Sequence, residues 1–168
     1  MSAPKLSAPR RIVVGHTSTG EPAVHDDTVP TVAVPGNFHV AQAFVQTSFD
    51  PDPIQAFSGM DAKIDGMVPT EGAVIRWVGM SPLTPLRRIL TGPDFPPNVE
   101  TAMHYTNSID YLIMTNGTFE LVLHDGSKRR LTPGDVVVQL ANVHQWNNVG
   151  DDWARQSISV SWLVERLS

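Results

Sequence analysis

From Ile109 onward the chain reads as short apolar runs cut by turns that contain glycine. Ile109 to Thr115 ends at Asn116-Gly117, Thr118 to His124 at Asp125-Gly126, and Lys128 to Leu131 at Thr132-Pro133-Gly134. Asp135 to Leu140, His144 to Val149 and Gln156 to Val164 continue the series. Runs this short leave no room for helices of ordinary length. Their β-branched and aromatic content suits antiparallel strands joined by tight turns. Asn116-Gly117 is expected to form a type I′ hairpin turn. The fold class that follows is all-β, an antiparallel sandwich or barrel.

The first half is punctuated differently. Of 14 prolines, only Pro133 lies beyond residue 100. Proline cannot donate to a central ladder, so it marks loops and strand edges. Strands are still expected at Arg11 to Gly15, Asn37 to Thr47 and Ala73 to Gly79, with Pro22 to His25 returning as a hairpin arm. Ile54 to Phe57 reads as one helical turn. Thr84-Pro85 resembles a helix start and Gly92 a stop, which makes Leu86 to Leu90 a short helix. The 82–97 segment is then a connector or a lid. With 168 residues and no low-complexity linker, one domain over 11–168 is expected after a flexible 1–10.

Composition excludes several functions. A formal net charge of -5 disfavours nucleic acid and anionic membranes as partners. The basic run Lys128-Arg129-Arg130 reads as a solvated strand face. There is no cysteine, so disulfides and thiolate-bound metals are ruled out. Met1 to Arg10 lacks the apolar core of a secretory signal, and no run is long enough to span a membrane. A cytoplasmic location is the expectation.

Chemistry concentrates in two stretches, Met103 to Gly117 and Gly134 to Asn148. Strand alternation places Asp110, Leu112 and Met114 on one face, and His144, Trp146 and Asn148 on another. His104, Asp110 and His144 are read as converging inside the barrel, with Tyr105, Met114 and Trp146 as substrate-binding neighbours. An ionised carboxylate among Ile109, Tyr111 and Leu112 is costly without a partner. Arg76 and Trp77 alternate on one strand, so only one of them points inward. Arg76 inside would be an anion clamp, and Trp77 inside a pocket wall. His16, His25, His39 and His124 fit no pattern and are read as structural or surface residues.

The two stretches resemble the paired motifs of the cupin superfamily. The first motif has His, any residue, His, three or four residues, Glu, six residues and Gly. Here it runs His104, Tyr105, Thr106, three residues, Asp110, six residues and Gly117. Thr106 replaces the second His and Asp110 replaces Glu. The second motif ends in Pro-any-Gly, two residues, His, three residues and Asn. Here Gln139-Leu140-Ala141 stands for Pro-any-Gly, and the His144 to Asn148 spacing is kept. The resemblance is strongest over 99–163. It implies a single jelly-roll β-barrel with an N-terminal strand extension, and it is similar to the small cupins of bacteria and of fungal polyketide clusters. Such proteins are often labelled oxidoreductases or dehydratases.

Three readings of the site follow. In the first, His104, Asp110 and His144 form an acid/base group for dehydration or isomerisation of a hydroxylated carbonyl compound. In the second, the same three residues ligate a divalent metal (Fe, Mn or Zn) as a two-His-one-carboxylate face for oxidation. The third is a non-catalytic ligand-binding barrel. A small-molecule substrate is the expected partner in the first two, and exposed edge strands make a homodimer the expected assembly.

Overall fold

A computed structural model describes residues 6–33, 38–46, 59–60, 62–64, 66–80 and 94–162. Its strands are β1 (Arg11–His16), β2 (Pro22–Thr28), β3 (Val32–Ala33), β4 (Phe38–Gln46), β5 (Ala73–Met80) and β6 (Val99–Glu100). They continue as β7 (Ser108–Asn116), β8 (Phe119–Leu123), β9 (Lys128–Leu131), β10 (Val136–Leu140), β11 (His144–Asn148) and β12 (Arg155–Trp162). No α-helix occurs among the described residues. The turn at Ile54 to Phe57 and the helix at Leu86 to Leu90 both lie outside them.

Two sheets build the barrel. A six-stranded sheet has the order β10-β7-β12-β5-β4-β3, and a four-stranded sheet the order β6-β11-β8-β9. The strands β1 and β2 form a separate two-stranded sheet. All pairings are antiparallel. The all-β antiparallel barrel expected from the turn pattern is observed, with the jelly-roll form that the family resemblance implies.

Strand alternation sets what faces inward. On β7, Asp110, Leu112 and Met114 are buried while Tyr111 and Ile113 are exposed. Register carries this parity across the sheet in three rows: Asp110–Val160–Val74, Leu112–Ile158–Arg76 and Met114–Gln156–Val78. Opposite them, β8 and β11 supply Phe119, Leu121 and Trp146. These pack with Phe95, Leu112, Met114 and Ala154 into the main core. Phe119 meets Phe95 and Trp146 edge-to-face, at centroid distances of 5.0 and 6.3 Å. A second core of Val45, Val74 and Val160 lies toward the other end of the large sheet.

Three details hold the frame. Asn148 is buried, and its amide nitrogen lies 2.8 Å from the Asp152 carbonyl and 2.9 Å from that of Pro96, while Oδ1 accepts from Gly150 N at 3.0 Å. Arg155 donates to both carboxylate oxygens of Asp94, at 2.5 and 2.9 Å, and to the Ser7 carbonyl at 2.8 Å. That last bond fastens the start of the described chain to β12. The third detail corrects the expected type I′ turn. Gly117 has a φ of 77°, but Asn116 is not left-handed. Glycine is required at 117 for space as well, because an added Cβ would lie 2.6 Å from the Ala154 Cβ.

The outward side of β7 and β10 is apolar and open. Tyr111, Ile113, Val136, Val138 and Leu140 are all exposed there. The basic run on β9 is solvated as expected, with Lys128 paired to Glu120 at 2.8 Å.

Candidate active site

A cavity of about 270 Å³ opens between the two sheets. Its lining includes His104, Tyr105, Thr106, Asp110, His144 and Trp146, and its remaining walls are mostly apolar: Phe95, Leu112, Val78, Ile158, Val160 and Met67. The sequence-predicted trio therefore does share one cavity, together with Tyr105 and Trp146. The other expected neighbours do not line it. Met114 is buried in the core beneath. Trp77 pairs with Ser157 and Ala41 and shares the outward parity of exposed Ile75, so it is not a pocket wall. Arg76 has the inward parity and is 3% exposed, but it lies behind the lining. Its Nη1 sits 3.6 Å from the sulfur of Met67, which does line the cavity.

The two histidines are built as near mirror images. A reciprocal backbone pair joins them, His104 N to His144 O and His144 N to His104 O, both at 2.9 Å. Each ring then donates from Nδ1 to the carbonyl two residues earlier. His104 bonds Ala102 and His144 bonds Asn142, both at 2.9 Å. The ring centroids are 4.3 Å apart. Holding Nδ1 on a carbonyl fixes the tautomer and leaves Nε2 as the acceptor of a neutral ring. The difference lies at Nε2. In His144 it receives the side-chain amide of Gln139 at 2.8 Å, and the same amide touches Nδ1. No such donor is bound at Nε2 of His104 among the described residues.

Electrostatics separate the titratable groups. Burial lowers the His144 pKa to about 4, with His104 lowering it further and the Asn142 carbonyl opposing. His144 thus stays neutral near pH 7. Asp110 is moved the other way. Burial raises its pKa, against the opposing pull of Ser108 and Thr106 hydroxyls and the charges of His104 and Arg76. Thr106 donates to Oδ2 at 3.1 Å, while buried Oδ1 has no partner. Arg76 is lowered to about 10 by burial, with Asp110 opposing. It remains a cation, and its buried Nε and Nη2 are unpaired.

A divalent ion would need three or more protein donors around one point, at about 2.0–2.2 Å for imidazole nitrogen and carboxylate oxygen on zinc. Among the described residues, no three His, Asp or Glu side chains gather that closely. The reasons are local. Thr106, in place of the motif's second His, spends its hydroxyl on Asp110; Gln139 occupies Nε2 of His144; and a guanidinium already offers Asp110 positive charge. The present donor set does not fit a three-ligand ion, and the metal face expected over His104, Asp110 and His144 is not assembled.

Sequence reading missed Gln139 and Gln156. Both were detectable by alternation. Gln139 shares parity with half-buried Val137 on β10, and Gln156 with Ile158 and Val160 on β12. Phe95 was also missed. It was assigned to a connector, yet it is 2% exposed and lines the cavity.

The fold is thus a two-sheet antiparallel barrel whose apolar cavity carries a pair of imidazoles. The chain belongs to the cupin superfamily and is related to cupins of fungal secondary-metabolite clusters. It is 30% identical over 154 residues, 87% of this chain and 74% of the relative, to phomopsin biosynthesis cluster protein D of Diaporthe leptostromiformis. It is 27% identical over 155 residues, 89% of this chain and 71% of the relative, to cupin-domain-containing oxidoreductase srdB of Neurospora crassa. In fold it is similar to the Schizosaccharomyces pombe Cnp3 cupin domain, with a TM-score of 0.51, 12% identity, and coverage of 92% of this chain and 88% of that one. No protein-family model matches the chain.

Proposed function

We propose that this chain is an enzyme of small-molecule secondary metabolism. In this reading it oxidises an apolar substrate bearing a hydroxyl or carbonyl, with His104 as the proton acceptor. The observation that carries this is the asymmetry of the imidazole pair. Both rings have Nδ1 committed to a carbonyl, but only the His144 ring is also met by a side-chain amide, that of Gln139, which lies against both ring nitrogens. His104 therefore offers a fixed, open base to the cavity. His144 stays neutral and packs against it. Asp110, whose pKa is raised by burial, is placed to hydrogen-bond a substrate oxygen. An open imidazole beside a carboxyl lets one site supply both base and acid.

The redox class is taken from the relative named an oxidoreductase. An oxidation of an alcohol or hydroquinone releases two protons and two electrons. His104 takes one proton and passes it on, the other leaves with the two electrons, and all go to an acceptor bound from outside the chain, such as dioxygen, which departs as hydrogen peroxide. A second reading uses the same groups without an acceptor. The raised pKa of Asp110 favours it, since its carboxyl would deliver the proton that lets a hydroxyl leave as water while His104 removes a neighbouring C–H proton.

The experiment is incubation of the protein with extracts or candidate aromatic and carbonyl substrates, aerobically and anaerobically, followed by mass spectrometry. A product lighter by two hydrogens or heavier by one oxygen, formed only with an acceptor present, supports oxidation. A product lighter by one water, or isomeric, formed equally without oxygen, supports the second reading. Full turnover by His104→Ala would refute both.

A further inference from the structure

The outer face of the six-stranded sheet is apolar, uncharged and open. Across β10, β7, β12 and β5, its two central rows run Val138–Tyr111–Ser159–Ile75 and Val136–Ile113–Ser157–Trp77. A third row runs from Leu140 on β10 through Ile109 and Ser161 to Ala73 on β5. None of these residues is charged, in a chain whose formal net charge is -5. From Val136, Val138 and Leu140 through Tyr111 and Ile113 to Ile75, exposure ranges from 41% to 62%. Burying those six side chains would take roughly 600 Å² out of water, the upper end of what a monomer leaves open. The half-buried Trp77, Ile109 and serines of the same rows bring the face toward the about 800 Å² per partner of a stable interface.

The relief of this face complements itself. Large side chains stand on β10, β7 and β5, while β12 presents only Ser157, Ser159 and Ser161. The β7 and β5 rows are two strand spacings apart, about 10 Å, so the serine row is a trough that can seat one row of side chains. A two-fold axis along the strands, midway between β7 and β12, exchanges β7 with β12 and β10 with β5. It sets Tyr111 and Ile113 of each copy over Ser159 and Ser157 of the other, and Val138 and Val136 over Ile75 and Trp77. Large meets small in the trough, and apolar meets apolar at the flanks, as stacked sheets require. A second copy is the occupant that fits, because an isologous contact needs a single patch that answers itself. Two chains of like net charge also approach most favourably through a face that carries none.

We propose that two copies of this chain pack the outer faces of their six-stranded sheets together about that axis. The contact runs through the sheet face rather than through the strand edges from which a homodimer was expected. It stands apart from the chemistry of the cavity but shares a strand with it. Asp110 and Leu112 line the cavity from the inner side of β7, while Tyr111 between them meets the second copy on the outer side.

Sedimentation equilibrium of the full chain between about 1 and 100 μM tests the proposal. A dimer mass is expected over that range. Tyr111→Glu and Val138→Lys each place a charge against the opposite sheet and should weaken association at least about a hundredfold. Val14→Lys, on the β1–β2 hairpin at a position 71% exposed, should leave it unchanged. The chain has no cysteine of its own, so a single introduced one reports proximity. Across the axis, two Ser159→Cys side chains lie within reach of a bismaleimide that spans about 10 Å. That variant should be captured as a covalent dimer, and Val14→Cys should not. A monomer throughout the range, a dimer that both charge substitutions leave intact, or equal cross-linking at positions 159 and 14 overturns the proposal. The cross-link decides the matter even if the charged variants fail to fold.

Discussion

Replacing His144 by Gln should remove a pH-dependent share of stability whose sign and window follow from the site. In the folded chain the His144 pKa is lowered to about 4 by burial, whereas an unfolded histidine titrates near 6.5. Between those values the unfolded state holds more protons than the folded one. Stability must therefore fall as pH drops from about 6.5 toward 4. From about pH 7 to 4.5 the full shift corresponds to about 2.4 kcal/mol. Solvent reaching the ring through the cavity mouth screens part of this, which brings the expectation to roughly 1–2 kcal/mol. Asp110 acts with the opposite sign. Its raised pKa means that the folded state takes up a proton first as pH falls, so stability gained there offsets some of the loss. The comparison must accordingly be wild type against His144→Gln, with Asp110 present in both. Urea unfolding at a series of pH values measures it. The wild-type free energy should decline relative to the variant by that amount across the window. Parallel curves would show that His144 is not held neutral by burial, and the division of labour between the two imidazoles would fall with it.

Two further outcomes are expected. Gly117→Ala combines a left-handed φ with a Cβ placed 2.6 Å from that of Ala154, and should cost about 2–4 kcal/mol in urea unfolding; a change under about 0.5 kcal/mol would mean that the β7–β8 turn relaxes freely. Thr106→His restores the imidazole that the first motif lacks, and should raise zinc affinity at least about tenfold in a competition assay with a chromophoric chelator; an unchanged affinity would refute Thr106 as the missing ligand position.

Much of the barrel was legible because period-two alternation and glycine-bearing turns are local signals. The strands from Ser108 to Trp162 fall within two residues of their expected limits, and Asp110, Leu112 and Met114 share the inward face as alternation requires. Alternation gives parity but not phase. Arg76 and Trp77 could not be ordered from β5 alone; the choice is made by β12, which sets Arg76 opposite Ile158 and, beyond it, Leu112. The His104–His144 juxtaposition was legible through motif spacing. The Gln139 cap was not, because it depends on the edge strand β10 bringing a side chain over a residue in the opposite sheet. Separating Met114 from the cavity likewise required packing, since a buried methionine one row from a pocket looks the same in sequence as one that lines it.

The reciprocal bond between His104 and His144 has a consequence for how such a chain can change over time. His104 sits beyond β6, on the rim of the four-stranded sheet, and that rim is joined to β11 by a short ladder and a few side-chain bonds from Thr101, Gln145 and Asn147. The aromatic core of Phe95, Phe119 and Trp146 lies below, and its Trp146 shares β11 with His144. The ladder that carries His104 is thus short, whereas β11 serves rim and core at once. A lineage can redraw the rim, exchange a ligand for a hydroxyl as at Thr106, or retire the chemistry altogether, while the hull beneath it stays watertight.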